Sequence, residues 1–520
     1  MPLTRAQKSA VLHELASYLT SWVDFQQEYT GVPGIQVALG FDGETVLDHA
    51  AGRADVTTDE PLTTDHLFRI ASHSKTFTAV TLFRLVEDGD LRLDDTVGHW
   101  VPELAECPAG DLTVRELLGH QGGVVRDSSD GDFWQRGSDF LDRRRLVDVV
   151  RREGAVYPAN THFKYSNVSY SLLGLVIEEA TGLGYAEATR RAIVEPLGLR
   201  DTGAEYDPAR GTEYAAGHTG RLTHDDTRRV IPHVDTQAMA AATGWYSTAA
   251  EMTVYGSALV MGDTRLLSDS SKRLMQREES RLTAPGGEVR RYGLGLDLET
   301  VGERELVGHS GGYPGHITRT WIDPQDGLVV SALTNAIDGP AGTVATGIVQ
   351  IVDAVFAAVD SVLTGRAVAV PEDLQFSGRF ANLWGSLDVV SVGASVHAPA
   401  LLTLGPRAPL PVPTLGRLVV GTAAGEPVEA GAEVHVPAEG KGASDAGTDA
   451  AEAPAGWILL TEPEPGFHAH GEPVELVRDG DGSIRSARIG AMTSWPIETY
   501  RAALATERPD RLLDGRLSLH

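Results

Sequence analysis

"FRIASHSKTFTAVTLFRLVEDGDL", residues 68–91, is the stretch from which the rest of the chain is read. Ser72 and Lys75 stand three apart at the start of a segment whose apolar residues, Phe77, Val80, Leu82, Phe83, Leu85 and Val86, fall nearly all round a helix. Such a helix is buried. Gly89 supplies its stop, because glycine takes the left-handed cap conformation without strain. The i,i+3 spacing brings the Ser72 hydroxyl and the Lys75 amine to one face, within contact reach. Desolvating an ammonium is costly and depresses its pKa, which makes the lysine a base for the neighbouring hydroxyl. A helix cap followed by a surface lysine would spell the same pattern, so the pair needs company.

Two further stretches provide it. "PANTHFKYSNVSYSLLGLVIEE" (158–179) places Tyr165 and Asn167 just before another apolar helix. A tyrosine beside a Ser/Lys pair relays protons, and an asparagine amide can hold both a substrate carbonyl and the lysine. The same segment reads equally as a capping segment with Asn167 at the N-cap. The third stretch, "VGHSGGYPG" (307–315), contains His309, Gly311 and Gly312 and also satisfies G-x-S-x-G around Ser310, the nucleophile-elbow pattern.

With S-x-x-K, Y-x-N and His-x-Gly in that order, the chain resembles the penicillin-recognising serine hydrolase superfamily: class C β-lactamases, DD-peptidases, D-aminopeptidases and related esterases (peptidase S12-like). The likeness covers roughly residues 10–365 and includes "LLGHQGGV" (117–124), "PLGLRDTG" (196–203) and "GWYSTAAEMTVYG" (244–256). The resemblance implies that Ser72 is acylated, that Lys75 and Tyr165 transfer protons, and that Asn167, His309, Gly311 and Gly312 border the substrate. It also implies an oxyanion hole made by the backbone N–H groups of Ser72 and Gly312. An elbow serine needs a strand–turn–helix, with an acid and a histidine further along. After Gly312 the chain runs "YPGHITRTWIDP", turn then strand, so Ser310 is the middle of the third motif and not the nucleophile. A histidine in place of the lysine of secreted β-lactamases is mostly neutral near pH 7. That form resembles D-aminopeptidases and predicts weaker recognition of a substrate carboxylate.

The organisation agrees. "IQVALGFDGETVLDHA" (35–50) reads as a hairpin about Phe41-Asp42-Gly43, and residues 316–335 read as a second strand pair. Helical patterns lie between them at 74–88, 169–181 and 250–261, and a closing helix at 348–363. The expected fold class is therefore α+β, an antiparallel sheet joining first and last strands, with a catalytic domain over 1–365. Residues 372–520 carry short, closely spaced apolar runs, read as an accessory antiparallel β-barrel of lipocalin-like type. Within it, 437–456 is Gly-, Ala- and acid-rich and reads as a flexible loop.

Composition sets outer bounds. The formal net charge is −28, which disfavours nucleic acid as a partner. Only five of the 44 basic residues are lysines, so a lysine inside a motif stands out. Cys107 is the single cysteine, which fits a reducing compartment. No run reads as a membrane span and the N-terminus has no signal-peptide core, only an amphipathic helix with Val11, Leu12, Leu15, Leu19 and Trp22 on one face; the expectation is cytoplasmic. Asp127 begins an acidic loop that fails the calcium-loop pattern, because Ser138 stands at the twelfth position. No metal and no cofactor are expected. The reading is a serine hydrolase of small amides and peptides, D-aminopeptidase-like, with carboxylesterase or acyltransferase activity and a non-catalytic ligand-binding relative as alternatives. A homo-oligomer through the C-terminal domain is compatible with it.

Overall fold

In the computed structural model the described residues are 3–400, 414–422, 457–461 and 473–506, apart from 137, 223–226, 285, 288, 384, 394, 490 and 491. The loop expected at 437–456 lies outside them. Two compact units divide the chain, Leu19–Val349 and the pair Met1–Tyr18 with Gln350–His520.

In the first unit, strands β1 (Gly34–Phe41) and β2 (Glu44–Asp55) pair around a two-residue turn. Asp42 and Gly43 both have positive φ, 51° and 83°, the turn hand that matches strand twist. β3 (Glu60–Pro61) extends the edge. The remaining strands of this sheet come late: β4 (Ser280–Thr283), β5 (Val289–Tyr292), β6 (Asp297–Val301), β7 (Arg304–Tyr313), β8 (His316–Ile322) and β9 (Leu328–Thr334). The sheet is antiparallel and runs β3-β2-β1-β9-β8-β7-β6-β5-β4. Ile35 sits opposite Thr334, so the first and last strands meet inside the sheet as expected. Both β1 and β9 are buried along their whole length, which is why they read as continuous apolar runs without alternation.

Helix α1 (Arg5–Thr30) buries the predicted face, Leu12, Leu15 and Leu19 among it. α2 (Ser74–Asp88) and α3 (Asn167–Thr181) stand where their patterns put them. α2 ends at Gly89, whose φ of 82° lets its N–H return to Leu85 and Val86. α4 (Ala249–Ser257) stops before the expected 261, because the chain continues from Ala258 in i→i+3 turns. It packs so closely on the sheet that a Cβ at Gly256 would lie 2.7 Å from Val329 Cγ1. α5 (Ala341–Leu363) starts earlier than 348, directly after Pro340, and the Trp321 indole donates to its Thr346 at 3.0 Å. By length and composition α5 is apolar enough to cross a bilayer, which corrects the reading that no such run exists. Its most apolar window is 61% buried in the protein.

In the second unit, eight strands among the described residues pair consecutively as a curled antiparallel sheet: β10 (Gly378–Asn382), β11 (Gly385–Val392), β12 (Ser395–Ala400), β13 (Thr414–Thr422), β14 (Trp457–Thr461), β15 (Pro473–Arg478), β16 (Ile484–Ile489) and β17 (Met492–Pro496). Phe380 of β10 also pairs with Pro496 of β17. A helix at Ile497–Thr506, not anticipated from sequence, follows. Buried Asp388 accepts two bonds from Arg379 at 2.8 Å and one from the Tyr18 hydroxyl at 3.0 Å, tying the start of α1 to this sheet.

Candidate active site

Ser72 sits in a single helical turn, Ala71–His73, that leads into α2. Ala71 has φ 52°, a conformation that costs a non-glycine residue energy and persists only where the surroundings enforce it. Ser74 supplies part of that hold: its hydroxyl donates to the Ala71 carbonyl at 2.5 Å and accepts from the Trp245 N–H at 3.1 Å.

Lys75 is fully buried at the start of α2. Its Nζ donates to Asn167 Oδ1 at 2.8 Å and to the Ala242 carbonyl at 2.9 Å, and it lies 3.1 Å from Ser72 Oγ. Burial lowers its pKa to about 7, against a partial upward pull from Asp127. Asn167 is held on its other side by Asp127, whose Oδ1 accepts from Nδ2 at 2.7 Å and from the Trp134 indole at 2.9 Å. Arg126 approaches the second Asp127 oxygen at 3.2 Å. The cap of α3 is Ser166, which accepts from Ser169 N–H at 2.9 Å. Asn167 is thus the first helical residue and not the N-cap, and its side chain is released for the lysine.

Tyr165 is half-buried, with the Lys75 ammonium 4.8 Å from its ring centroid and its hydroxyl on the Ser72 side. Burial pushes the phenol above its ordinary value, so it rests protonated. His120 packs at 4.3 Å from the Tyr165 ring and accepts the Ser166 N–H on Nδ1 at 3.2 Å.

β7 forms the opposite wall. His309 is buried, and burial lowers its pKa to about 4. Its Nδ1 lies 2.6 Å from the Ser310 carbonyl, which can only accept, so Nδ1 carries the proton. Nε2 is then the acceptor for the Tyr292 hydroxyl at 3.2 Å. Gly311 is required by the protein itself: a Cβ there would overlap the Ile70 carbonyl and Thr318 Oγ1. The resemblance had implied only that this glycine borders the substrate. Gly312 does stand before open space, with only Ile317 Cδ1, at 3.7 Å, near an added Cβ. Ser310 lies mid-strand opposite Arg319, and strand alternation turns it to the face away from His309 and Gly311.

The structure therefore gathers Ser72, Lys75, Tyr165, Asn167, His309, Gly311 and Gly312 around one turn and one strand. Sequence reasoning missed Asp127, Tyr292 and the Ala242 carbonyl. In the same loop Phe133 is in the core and Trp134 buttresses Asp127.

The beta-lactamase family pattern matches residues 20–352, and the chain belongs to that family. Among its relatives, penicillin-binding protein 4 of Amycolatopsis lactamdurans is 29% identical over 58% of this chain and 81% of its own. A D-aminopeptidase of Brucella anthropi is 28% identical over 62% of this chain and 60% of its own length. The solved D-amino acid amidase from Ochrobactrum anthropi SV3, complexed with L-phenylalanine, superposes with a TM-score of 0.55 at 28% identity, over 66% of this chain and 99% of that one. The protein is a serine hydrolase of this family.

Proposed function

We propose that Ser72 attacks the carbonyl of a small amide or ester to give an acyl-enzyme, with Lys75 as the base. The arrangement around Nζ is the observation that carries this. Asn167 Oδ1 and the Ala242 carbonyl can only accept, so they engage two N–H bonds of the neutral amine. The lone pair is left for the Ser72 hydroxyl at 3.1 Å. Tyr165, protonated at rest, passes a proton to the leaving group. Tyr313 and His316 pair across a two-residue hairpin, so the Gly312 N–H turns away from β8, toward the space before the strand. Together with the Ser72 N–H it would form the oxyanion hole, each donor contributing about 3 kcal/mol in the transition state.

The substrate reading rests on charge. His309 is neutral with both ring nitrogens engaged, so it offers little to a carboxylate. Asp127 Oδ1 is taken by Asn167 and Trp134 and Oδ2 by the exposed Arg126, so a substrate amine that displaces Arg126 would find a carboxylate beside the Lys75–Asn167 pair. We therefore place amides and short peptides of D-amino acids first, with esters second because the same acyl-enzyme chemistry accepts them. We read the C-terminal sheet as a closed lipocalin-like barrel, an accessory domain over 372–520 beside a catalytic domain over 1–365.

A fluorophosphonate probe applied to the wild type, Ser72→Ala and Ser310→Ala, with the adduct located by peptide mass spectrometry, tests the nucleophile. Labelling lost only in Ser72→Ala is the expected result; an adduct on Ser310 would overturn it. D-amino acid amides, their N-acetyl counterparts, short esters and penicillins then rank the substrates.

A further inference from the structure

His73 lies inside the S-x-x-K stretch, fully buried, and takes no part in the proton transfers above. Its Nδ1 lies 2.9 Å from the Ile70 carbonyl and 3.1 Å from Thr318 Oγ1, and its Nε2 lies 3.1 Å from Thr320 Oγ1. Thr320 Oγ1 is in turn 3.0 Å from Ser331 Oγ. The Ile70 carbonyl can only accept, so in the neutral ring Nδ1 carries the proton and Nε2 receives one. The chain of bonds then has one direction: Ser331 donates to Thr320, Thr320 to His73, and His73 to Ile70. It runs from β9 through β8 into the turn that presents Ser72. All three hydroxyl residues are buried, where such bonds are strong and an unmade one is costly. Burial lowers the His73 pKa to about 3, with His309 and Arg319 the charged or chargeable neighbours, so this tautomer holds throughout the neutral range.

We infer that His73 is a positioning residue that clamps the strained Ala71–Ser72 turn to the central sheet through the Thr320–Ser331 hydroxyl chain, fixing Ser72 Oγ against Lys75 Nζ and the Gly312 N–H. The two observations that demand such a clamp are independent of the histidine. Ala71 holds a positive φ, and the Ile70 carbonyl is pressed so closely on β7 that only glycine fits at Gly311. A turn under that constraint shifts if one side is released. A shift of about 1 Å at a reacting atom costs on the order of 100-fold in rate.

The inference rests on Ser72 being the nucleophile. The test uses the full chain and compares wild type with His73→Val, His73→Asn, Thr320→Val and the double variant His73→Val/Thr320→Val. The readouts are the rate of Ser72 labelling by the fluorophosphonate, the thermal midpoint, and kcat and KM on an amide or ester that the wild type turns over. The expected result is labelling and kcat slower by about 10- to 100-fold in His73→Val and Thr320→Val, with KM within about 2-fold and a cooperative melt retained. The double variant should be no slower than the slower single, because both break one chain, and His73→Asn should recover part of the loss. Should His73→Val fail to fold, Thr320→Val decides alone, since valine is close to isosteric with threonine. Labelling within about 2-fold of wild type in Thr320→Val, or losses that simply add in the double variant, would overturn the inference while Ser72 stands. A wild type unlabelled at Ser72 would remove the proposed nucleophile and this inference together.

Discussion

At the scale of single residues, the lysine controls the pH behaviour. As the proposed base it acts as the neutral amine, and burial brings its pKa to about 7. The pH profile of kcat/KM should therefore rise through about 7 on the alkaline-going side, measured on any substrate that labels Ser72. The same shift has a stability sign. A lysine whose folded pKa lies below its ordinary value of 10.5 is less protonated when folded than when unfolded between those pH values. Its burial therefore costs most below about 7, and stability recovers as pH rises toward 10.5. Asp127→Asn keeps an acceptor for Asn167 but removes the charge. It should raise KM for free-amine substrates by about 10-fold while leaving N-acetyl substrates within about 2-fold, as a charge-assisted bond of about 1.5 kcal/mol or more implies. Equal losses on both would reject the ammonium reading. Ser72, Lys75, Tyr165, Asn167 and His309 were legible because each has a side chain at a telling spacing. Ala242 acts through a backbone carbonyl, which no side-chain pattern reports. Asp127 was hidden in an acidic loop, and His73 occupies a position that the S-x-x-K pattern leaves unspecified.

Among the elements, the caps decide where the reacting groups point. Ser166 ends the extended segment that carries Tyr165 and starts α3, so a single hydroxyl sets the register of both Tyr165 and Asn167. Ser166→Ala should destabilise the protein by about 1 kcal/mol, typical of a lost N-cap, read as a lower denaturation midpoint with unchanged slope. Activity should fall further than stability, because Asn167 is the next residue. On β7 the two glycines should part company. Gly311→Ala collides with the Ile70 backbone and should lower the thermal midpoint by several degrees, whereas Gly312→Ala meets open space and should melt near the wild type. Helix periodicity found α2 and α3 well, since their apolar faces are broad and each stops at a left-handed glycine, Gly89 and Gly182. It overran α4, where an apolar run continues through tight turns, and fell short on α5, whose first turns are rich in small residues.

For the whole molecule, the hairpin at 35–50 and the strand pair at 316–335 were each legible from turn residues and β-branched runs. Their union was inferable because strands at both ends of an α+β chain need a common sheet. The C-terminal strands were only partly legible, being short and broken by glycine and proline. In that second unit the Tyr18–Asp388–Arg379 group is the point of leverage. Arg379→Met would leave Asp388 buried without its ion partner, a change of about 3–5 kcal/mol. Removing that partner raises a carboxyl pKa that burial already holds high. The loss should thus be full at neutral pH and shrink as acid protonates Asp388, which denaturation at two pH values would show.

The pairing of Ile35 with Thr334 also bears on how the chain is made. On the ribosome the S-x-x-K stretch emerges early, while β7, β8 and β9, the strands that wall and brace it, emerge only after the intervening helices. Until Thr334 is clear of the exit tunnel, β1 presents an unpaired apolar edge, a target for chaperones or for misassembly with another nascent chain. A polypeptide released short of β7 would hold the proposed nucleophile and base in sequence yet lack the strand that walls the site. Premature termination should therefore yield an aggregating fragment with no errant esterase activity.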